Sequence, residues 1–177
     1  MASRSIDMNR RGFLAAAGIG TLGAAAGHRA ATAATGTGAD FAYEITRSEE
    51  EWRARLSDEE YRILRGGGTE LPRSSELWDD MRAGEFRCRG CDLHVYSSNW
   101  RAPVDKGWVF FAHAVPNAVL MDIDGPQEAY GMSEDWANLI ETHCRRCGSH
   151  LGHILLVDGE VLHCINGAAL AFTPSEA

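Results

Sequence analysis

The rhythm of polar and apolar positions changes once along this chain, near Glu85. Upstream, Ser48-Glu49-Glu50-Glu51 and Ser57-Asp58-Glu59-Glu60 each place a glutamate three residues after a serine. The serine hydroxyl accepts one free N–H and the glutamate reaches back for another, so both read as capping boxes. They predict short helices near 48–56 and 58–65, the second stopped by Gly66-Gly67-Gly68. Ser75 to Met81 reads as a further helical turn, and 34–47 as a linker and extended lead-in. Downstream the apolar runs shorten and turn residues separate them. Phe86, Val95-Tyr96, Trp108 to Phe111, Val119 to Ile123, Ile154 to Val157 and Val161 to Ile165 are strand signals. Asp158-Gly159 marks a hairpin between the last two. The pattern predicts a mainly β fold: a small helical part, then an antiparallel sheet.

The first 33 residues have a different character. Asn9-Arg10-Arg11-Gly12-Phe13-Leu14 is followed by an Ala/Gly-rich apolar run from Ala15 to Gly27, and Ala31-Thr32-Ala33 offers a small-residue cleavage site. This reads as a twin-arginine export signal over 1–33, which places the mature protein in the periplasm or another extracytoplasmic space. The bland alternative is a disordered tail with a chance arginine pair. The run is too short and too glycine-rich for a stable membrane span. Removing the segment, with its four arginines and one aspartate, leaves 144 residues and takes the formal charge from −8 to −11. That suits one domain, 48–173 after the linker, and gives no electrostatic reason to bind nucleic acid or anionic lipid.

Five cysteines carry the candidate chemistry. Cys88-Arg-Gly-Cys91 and Cys144-Arg-Arg-Cys147 are two CxxC pairs separated by 52 residues. Two such pairs can close a tetrahedral four-cysteine zinc site that staples the sheet, and Gly148 follows the second where a knuckle needs positive φ. Oxidation to disulfides is the alternative for an exported protein. A folded precursor loaded in a reducing cytoplasm favours one structural zinc. Cys164 is then left alone, in Leu162-His163-Cys164-Ile165-Asn166.

These residues together resemble the type B methionine sulfoxide reductases, in order over about residues 50–173. The resemblance rests on Tyr61-Arg62-Ile63-Leu64-Arg65, Gly68-Thr69-Glu70, the two knuckles, Ser97-Ser98 and Gly107-Trp108. It rests further on Cys147-Gly148-Ser149-His150-Leu151-Gly152-His153 and on Cys164-Ile165-Asn166-Gly167-Ala168-Ala169-Leu170 with Phe172. It implies a β-tent of antiparallel sheets, zinc remote from the active site, and reduction of methionine-R-sulfoxide. Cys164 would attack the sulfoxide sulfur and become a sulfenic acid. His150 and His153 would supply the acid, or hold a water that does, and Asn166 would orient that network. Trp108 and Phe111 would bind the substrate, the indole packing on its S-methyl group. The substrate would be oxidised methionine in proteins or a small sulfoxide, and an external thiol or thioredoxin-like reductant would restore Cys164.

The chain also departs from the family pattern. Leu162-His163 stands where the family has Arg-Tyr, and Phe110 where it has a serine. The usual Pro-Asp-Gly-Pro and Pro-Thr-Gly turn is reduced to Val157-Asp158-Gly159-Glu160. Lys106 occupies the position of a resolving cysteine, and no sixth cysteine exists. A lost arginine removes a cation that would activate the thiol, and His163 is the one nearby group that could compensate. These changes keep two other readings open: a zinc-containing β-tent that binds a partner without turnover, and another thiol-dependent enzyme on the same scaffold.

Overall fold

A computed structural model describes residues 41–124 and 139–176. The export signal expected over 1–33 and the first half of the linker, 34–40, lie outside the described residues. Both capping boxes form. In α1 (Glu49–Arg53) the Ser48 hydroxyl accepts from Glu51 N–H, and the Glu51 carboxylate accepts from Ser48 N–H. In α2 (Asp58–Leu64) Ser57 and Glu60 do the same. α1 stops earlier than 56, because the N–H groups of Arg55 and Leu56 both turn back onto the Trp52 carbonyl. That closure drives Trp52 and Leu56 into the core.

The turn expected at Ser75 to Met81 is not helical. Ser75 Oγ accepts the Leu77 N–H, and the Arg101 guanidinium takes the carbonyls of Leu77 and Trp78 at 3.0 and 2.8 Å. Carbonyls so occupied have no need of an i+4 donor.

Among the described residues, nine strands follow. β1 (Gly84–Cys88), β2 (His94–Ser97) and β9 (Leu170–Pro174) form one antiparallel sheet in the order β2-β1-β9. The second contains β3 (Arg101–Ala102), β4 (Val109–Phe111), β5 (Val119–Asp124), β6 (Leu139–Cys144), β7 (His150–Val157) and β8 (Glu160–Ile165). Its order is β3-β4-β8-β7-β6-β5, and every pairing is antiparallel. The hairpin at Asp158-Gly159 forms as expected. Both residues have positive φ, 51° and 92°, the geometry of a two-residue turn matched to strand twist.

The main core lies between the sheets. Phe86 from β1 meets Phe111 from β4 edge-on at 5.0 Å, and Tyr96 from β2 stacks on Phe111 at 4.4 Å. Ile63 and Leu64 of α2 and Trp52 of α1 close one end of the same cluster. A second, smaller cluster occupies the other face of the six-stranded sheet. It contains Phe110, Val157 and Leu162, with Trp108, Leu155 and Cys164 against them. Alternation along β4 and β8 makes this division: Phe110 pairs with Cys164, and Phe111 with His163. One face of these strands therefore builds the core and the other builds the site.

Candidate active site and metal centre

Cys88 ends β1 and Cys144 ends β6, so the four knuckle cysteines meet where the two sheets meet. Their sulfurs all lie within 4.8 Å of one another. Cys88 Sγ is 3.8 Å from Cys147 Sγ, and Cys91 Sγ is 3.5 Å from Cys144 Sγ. Sulfurs about 2.3 Å from a tetrahedral zinc sit about 3.8 Å apart, so the set has the spacing of such a site. All five cysteines are free thiols. Both knuckles carry a positive φ just after their second cysteine, 63° at Asp92 and 67° at Gly148. The Asp92 and Gly148 N–H groups point back to the Cys88 and Cys144 carbonyls at 2.8 Å. Each loop thereby turns both of its sulfurs to one centre.

The crowd of thiols favours ionisation at Cys91 and, far more, at Cys147. Cys147 is held far below the ordinary thiol range, first by the thiol of Cys144 and then by those of Cys88 and Cys91. Arg65 adds a cation beside it, donating to the Cys147 carbonyl at 3.2 Å and to Ser149 Oγ at 3.4 Å. The Arg65 guanidinium also lies 4.7 Å from the Trp52 ring centroid, which ties α1 and α2 to this corner.

Cys164 stands apart. It lines a cavity of about 160 Å³ with Thr69, Trp108, Leu139, Gly152, His153, Leu155 and Asn166, and none of the other four cysteines lines it. His153 is directly opposite Cys164 in the β7–β8 ladder, so the two side chains leave the sheet on the same face. Gly152 lets the strands approach: a Cβ there would fall 2.1 Å from the Cys164 carbonyl oxygen. Burial pushes the Cys164 thiol up to about 12, and the carboxylate of Glu70 adds to the shift. The resting sulfur is a thiol.

Trp108 and Asn166 reach this cavity through one buried residue, Glu70. The Trp108 indole donates to the Glu70 carbonyl at 3.2 Å, and the Glu70 N–H donates to Asn166 Oδ1 at 3.0 Å. The Glu70 carboxylate accepts from the N–H groups of Gly167 and Ala168 at 2.7 and 2.8 Å. The Asn166 backbone N–H and side-chain amide both donate to the Leu151 carbonyl, and the Asn166 carbonyl accepts from Ala169 N–H. This amide braces the turn after Cys164, and its bonds go to backbone rather than to a histidine.

The other expected site residues lie elsewhere. Phe111 is not at the cavity. One residue along β4 from Phe110, it points to the opposite face and is wholly buried against Tyr96 and Phe86. His150 is behind the cavity, with Nδ1 2.5 Å from Glu141 Oε1 and its ring centroid 5.2 Å from that of His153. His163 does not compensate for Leu162. It sits on the core face with Nδ1 3.0 Å from the Tyr96 hydroxyl, whereas Leu162 shares the Cys164 face. Lys106 is half-exposed, 3.4 Å from Asp158.

Sequence reasoning missed Glu141 and Asp124, and saw Glu70 only inside a motif. Asp124 Oδ2 lies 3.1 Å from His153 Nε2. No spacing rule reveals these carboxylates, because their partners are on strands joined by register rather than by sequence.

The five cysteines are thus divided, four crowded at the seam of two sheets and one alone in an apolar cleft beside an imidazole. The SelR domain matches residues 56–174. The chain belongs to that family, the methionine sulfoxide reductase B enzymes. A relative named peptide methionine sulfoxide reductase MsrB, from Thiobacillus denitrificans, is 36% identical over 134 residues, covering 73% of this chain and 96% of its own. Another of the same name, from Leifsonia xyli, is 36% identical over 140 residues, covering 76% and 94%. Peptide methionine sulfoxide reductase B3 of Arabidopsis thaliana is 35% identical over 138 residues, covering 74% and 72%.

Proposed function

We propose that this chain reduces methionine-R-sulfoxide, in protein or as a small analogue, through a sulfenic acid on Cys164. The observation that carries the reading is the isolation of Cys164 in an apolar cavity with Trp108, His153 and Asn166, away from the other four cysteines. Trp108 offers a ring face for the S-methyl group. The Cys164 sulfur attacks the substrate sulfur. The sulfur–oxygen bond of the sulfoxide breaks, and the oxygen remains on Cys164 as a hydroxyl. The substrate sulfur gains two electrons and Cys164 loses two. An external thiol then attacks the sulfenic acid, releasing water and leaving a mixed disulfide, which a second thiol resolves. Two external thiols are required, because the chain has Lys106 where a resolving cysteine would stand.

Cys88, Cys91, Cys144 and Cys147 would hold one zinc, whose contribution is a structural cross-link between the sheets. The Arg10-Arg11 signal would carry the folded, metal-loaded protein out of the cytoplasm. If so, changing both arginines to lysine leaves a folded precursor inside the cell; unchanged export would refute the route.

The deciding experiment is turnover of resolved R and S sulfoxide epimers with dithiothreitol. The expected result is reduction of the R epimer only, with Cys164 trapped by a dimedone-type probe after one turnover without reductant. Cys164→Ser abolishes turnover and keeps zinc and fold. Continued reduction by that variant would falsify the assignment. One feature favours a second reading, a binding module without turnover: Leu162 and Phe110 pack as plain core beside Cys164, with no cation on that face of β8. Binding of the R epimer by a wild type that leaves Cys164 unoxidised would decide for it.

A further inference from the structure

The imidazole that shares the cavity with Cys164 is held from two strands away. β5 lies beyond β6 from β7, yet Asp124 Oδ2 reaches His153 Nε2 at 3.1 Å. An ionised carboxylate only accepts, so the ring nitrogen facing it carries the proton. In a neutral imidazole the other nitrogen, Nδ1, is then a bare acceptor. Among the described residues lining the cavity, His153 is also the one side chain that can exchange a proton near neutral pH.

We propose that Asp124 is the positioning residue of a carboxylate–imidazole–thiol set, Asp124–His153–Cys164, in which His153 Nδ1 carries the Cys164 proton to the sulfoxide oxygen. The inference rests on Cys164 being the nucleophile. As the Cys164 sulfur bonds to the substrate sulfur, its S–H bond breaks and the proton passes to Nδ1. Asp124 stabilises the transient imidazolium. Nδ1 then gives the same proton to the oxygen, which leaves the substrate as the hydroxyl of the sulfenic acid. His153 ends neutral, and no outside proton, oxidant or reductant enters this half of the reaction.

The surroundings support a relay over a pre-protonated acid. Among the described residues, the groups facing His153 are Asp124 from β5, Glu141 from β6, His150 from its own strand and Cys164 from β8. Burial holds its pKa below the usual histidine value, and His150 adds to this against the opposing pull of Asp124 and Glu141. The imidazole is therefore neutral in the resting enzyme. The thiol, in turn, has no fixed cation on its own face of the strand, where Leu162 stands. A buried thiol without a cation needs a base, and His153 is the base within the same cavity. His150 is arranged otherwise. Its Nδ1 is committed to Glu141, both side chains are 3% exposed, and it lies outside the cavity lining.

The test uses the full-length, metal-loaded protein and three readouts. Nitrogen-15 NMR of His153 is expected to show the proton on Nε2. In Asp124→Asn the amide N–H can donate to Nε2, so the proton is expected to move to Nδ1. In the same variant kcat is expected to fall about 100-fold or more with KM within about threefold, and Asp124→Glu should recover part of the loss. Metal content and melting temperature should stay unchanged. The wild-type kcat/KM should not decline from about pH 6 to about pH 8, as it would if a protonated histidine were required. A wild-type His153 protonated on Nδ1 would overturn the proposal, and so would an Asp124→Asn variant with kcat within about threefold of wild type. If the wild type reduces no sulfoxide, the reductase reading fails by itself. The rate of Cys164 alkylation by iodoacetamide then decides the relay: a drop of about tenfold or more in Asp124→Asn supports the set, and no change overturns it.

Discussion

Cys164 and Leu162 sit two residues apart on one face of β8, and between them His163 faces the core. That alternation decides the state of the thiol. A cation at 162 would lie beside the sulfur, whereas a histidine at 163 is on the far side of the sheet, bonded to Tyr96. With the thiol pushed up to about 12 by burial, its alkylation rate should keep rising with pH past 9 or so, without a plateau near neutrality. Stopped-flow alkylation of Cys164 against pH measures this. The sign for stability follows from the same shift. A thiol unfolded near pKa about 8.5 and folded near about 12 contributes fully at lower pH, and the contribution is lost as pH rises through that window. Denaturant midpoints should fall with pH there, and less steeply in Cys164→Ser. A second residue-scale prediction concerns Gly167. An added Cβ would lie 2.0 Å from Ser75 Oγ and 2.4 Å from Ser75 Cβ, so Ser75 fills the space a side chain at 167 would take. Gly167→Ser should cost about 1–3 kcal/mol by overpacking, and much less in a Ser75→Gly background. A double-mutant cycle on unfolding free energies checks the coupling.

At the scale of elements, the helices were legible because their signals are local. Each capping box joins residues three apart, and both formed as read. Helices of five and seven residues are too short to persist alone, so their ends matter. Ser57→Ala should lower stability by about 1 kcal/mol, read from chemical denaturation, with activity at saturating substrate unchanged. Strands were legible only where apolar residues showed. β6 was not read, because Leu139–Cys144 buries Glu141, Thr142 and His143. Those polar residues look like a solvated segment in sequence, and they are buried because β5 and β7 flank the strand on both sides. β9 was also missed: Leu170–Pro174 ends in exposed residues and acquires strand geometry by pairing with β1, whose partner identity is a tertiary fact.

For the whole molecule, the governing feature is the meeting of β1 and β6 at the cysteine cluster. The knuckles come from different sheets, so the cluster links the two sheets. Metal binding at such a site is folding free energy, of order 10–16 kcal/mol in small zinc peptides. A typical domain is stable by only about 5–15 kcal/mol. Cys88→Ser should therefore lose the metal and fail to fold cooperatively, whereas Cys164→Ser should keep both metal and melting temperature. Elemental analysis and thermal unfolding of the two variants separate thiols that hold metal and fold from one that holds neither. Stoichiometric disulfides without zinc, in protein made in a reducing cytoplasm, would refute the metal assignment. Among the described residues, no helix is long and apolar enough to cross a membrane.

The sequence by itself determined what depends on neighbours in the chain: the two capped helices, the Asp158-Gly159 hairpin, the CxxC knuckles, the separation of Cys164 from the other cysteines and the family. The helix caps, the hairpin turn and the knuckles rest on residues close together in the chain, and the separation of Cys164 and the family on the types and order of residues alone. The tertiary structure decided what depends on register and face. It placed Trp108, His153 and Asn166 in one cavity with Cys164, and turned Phe111 and His163 into the core. It also gave His150 and His153 their carboxylates from β6 and β5. A shift of one residue along a strand exchanges its faces, so none of these placements is readable until the strands are paired.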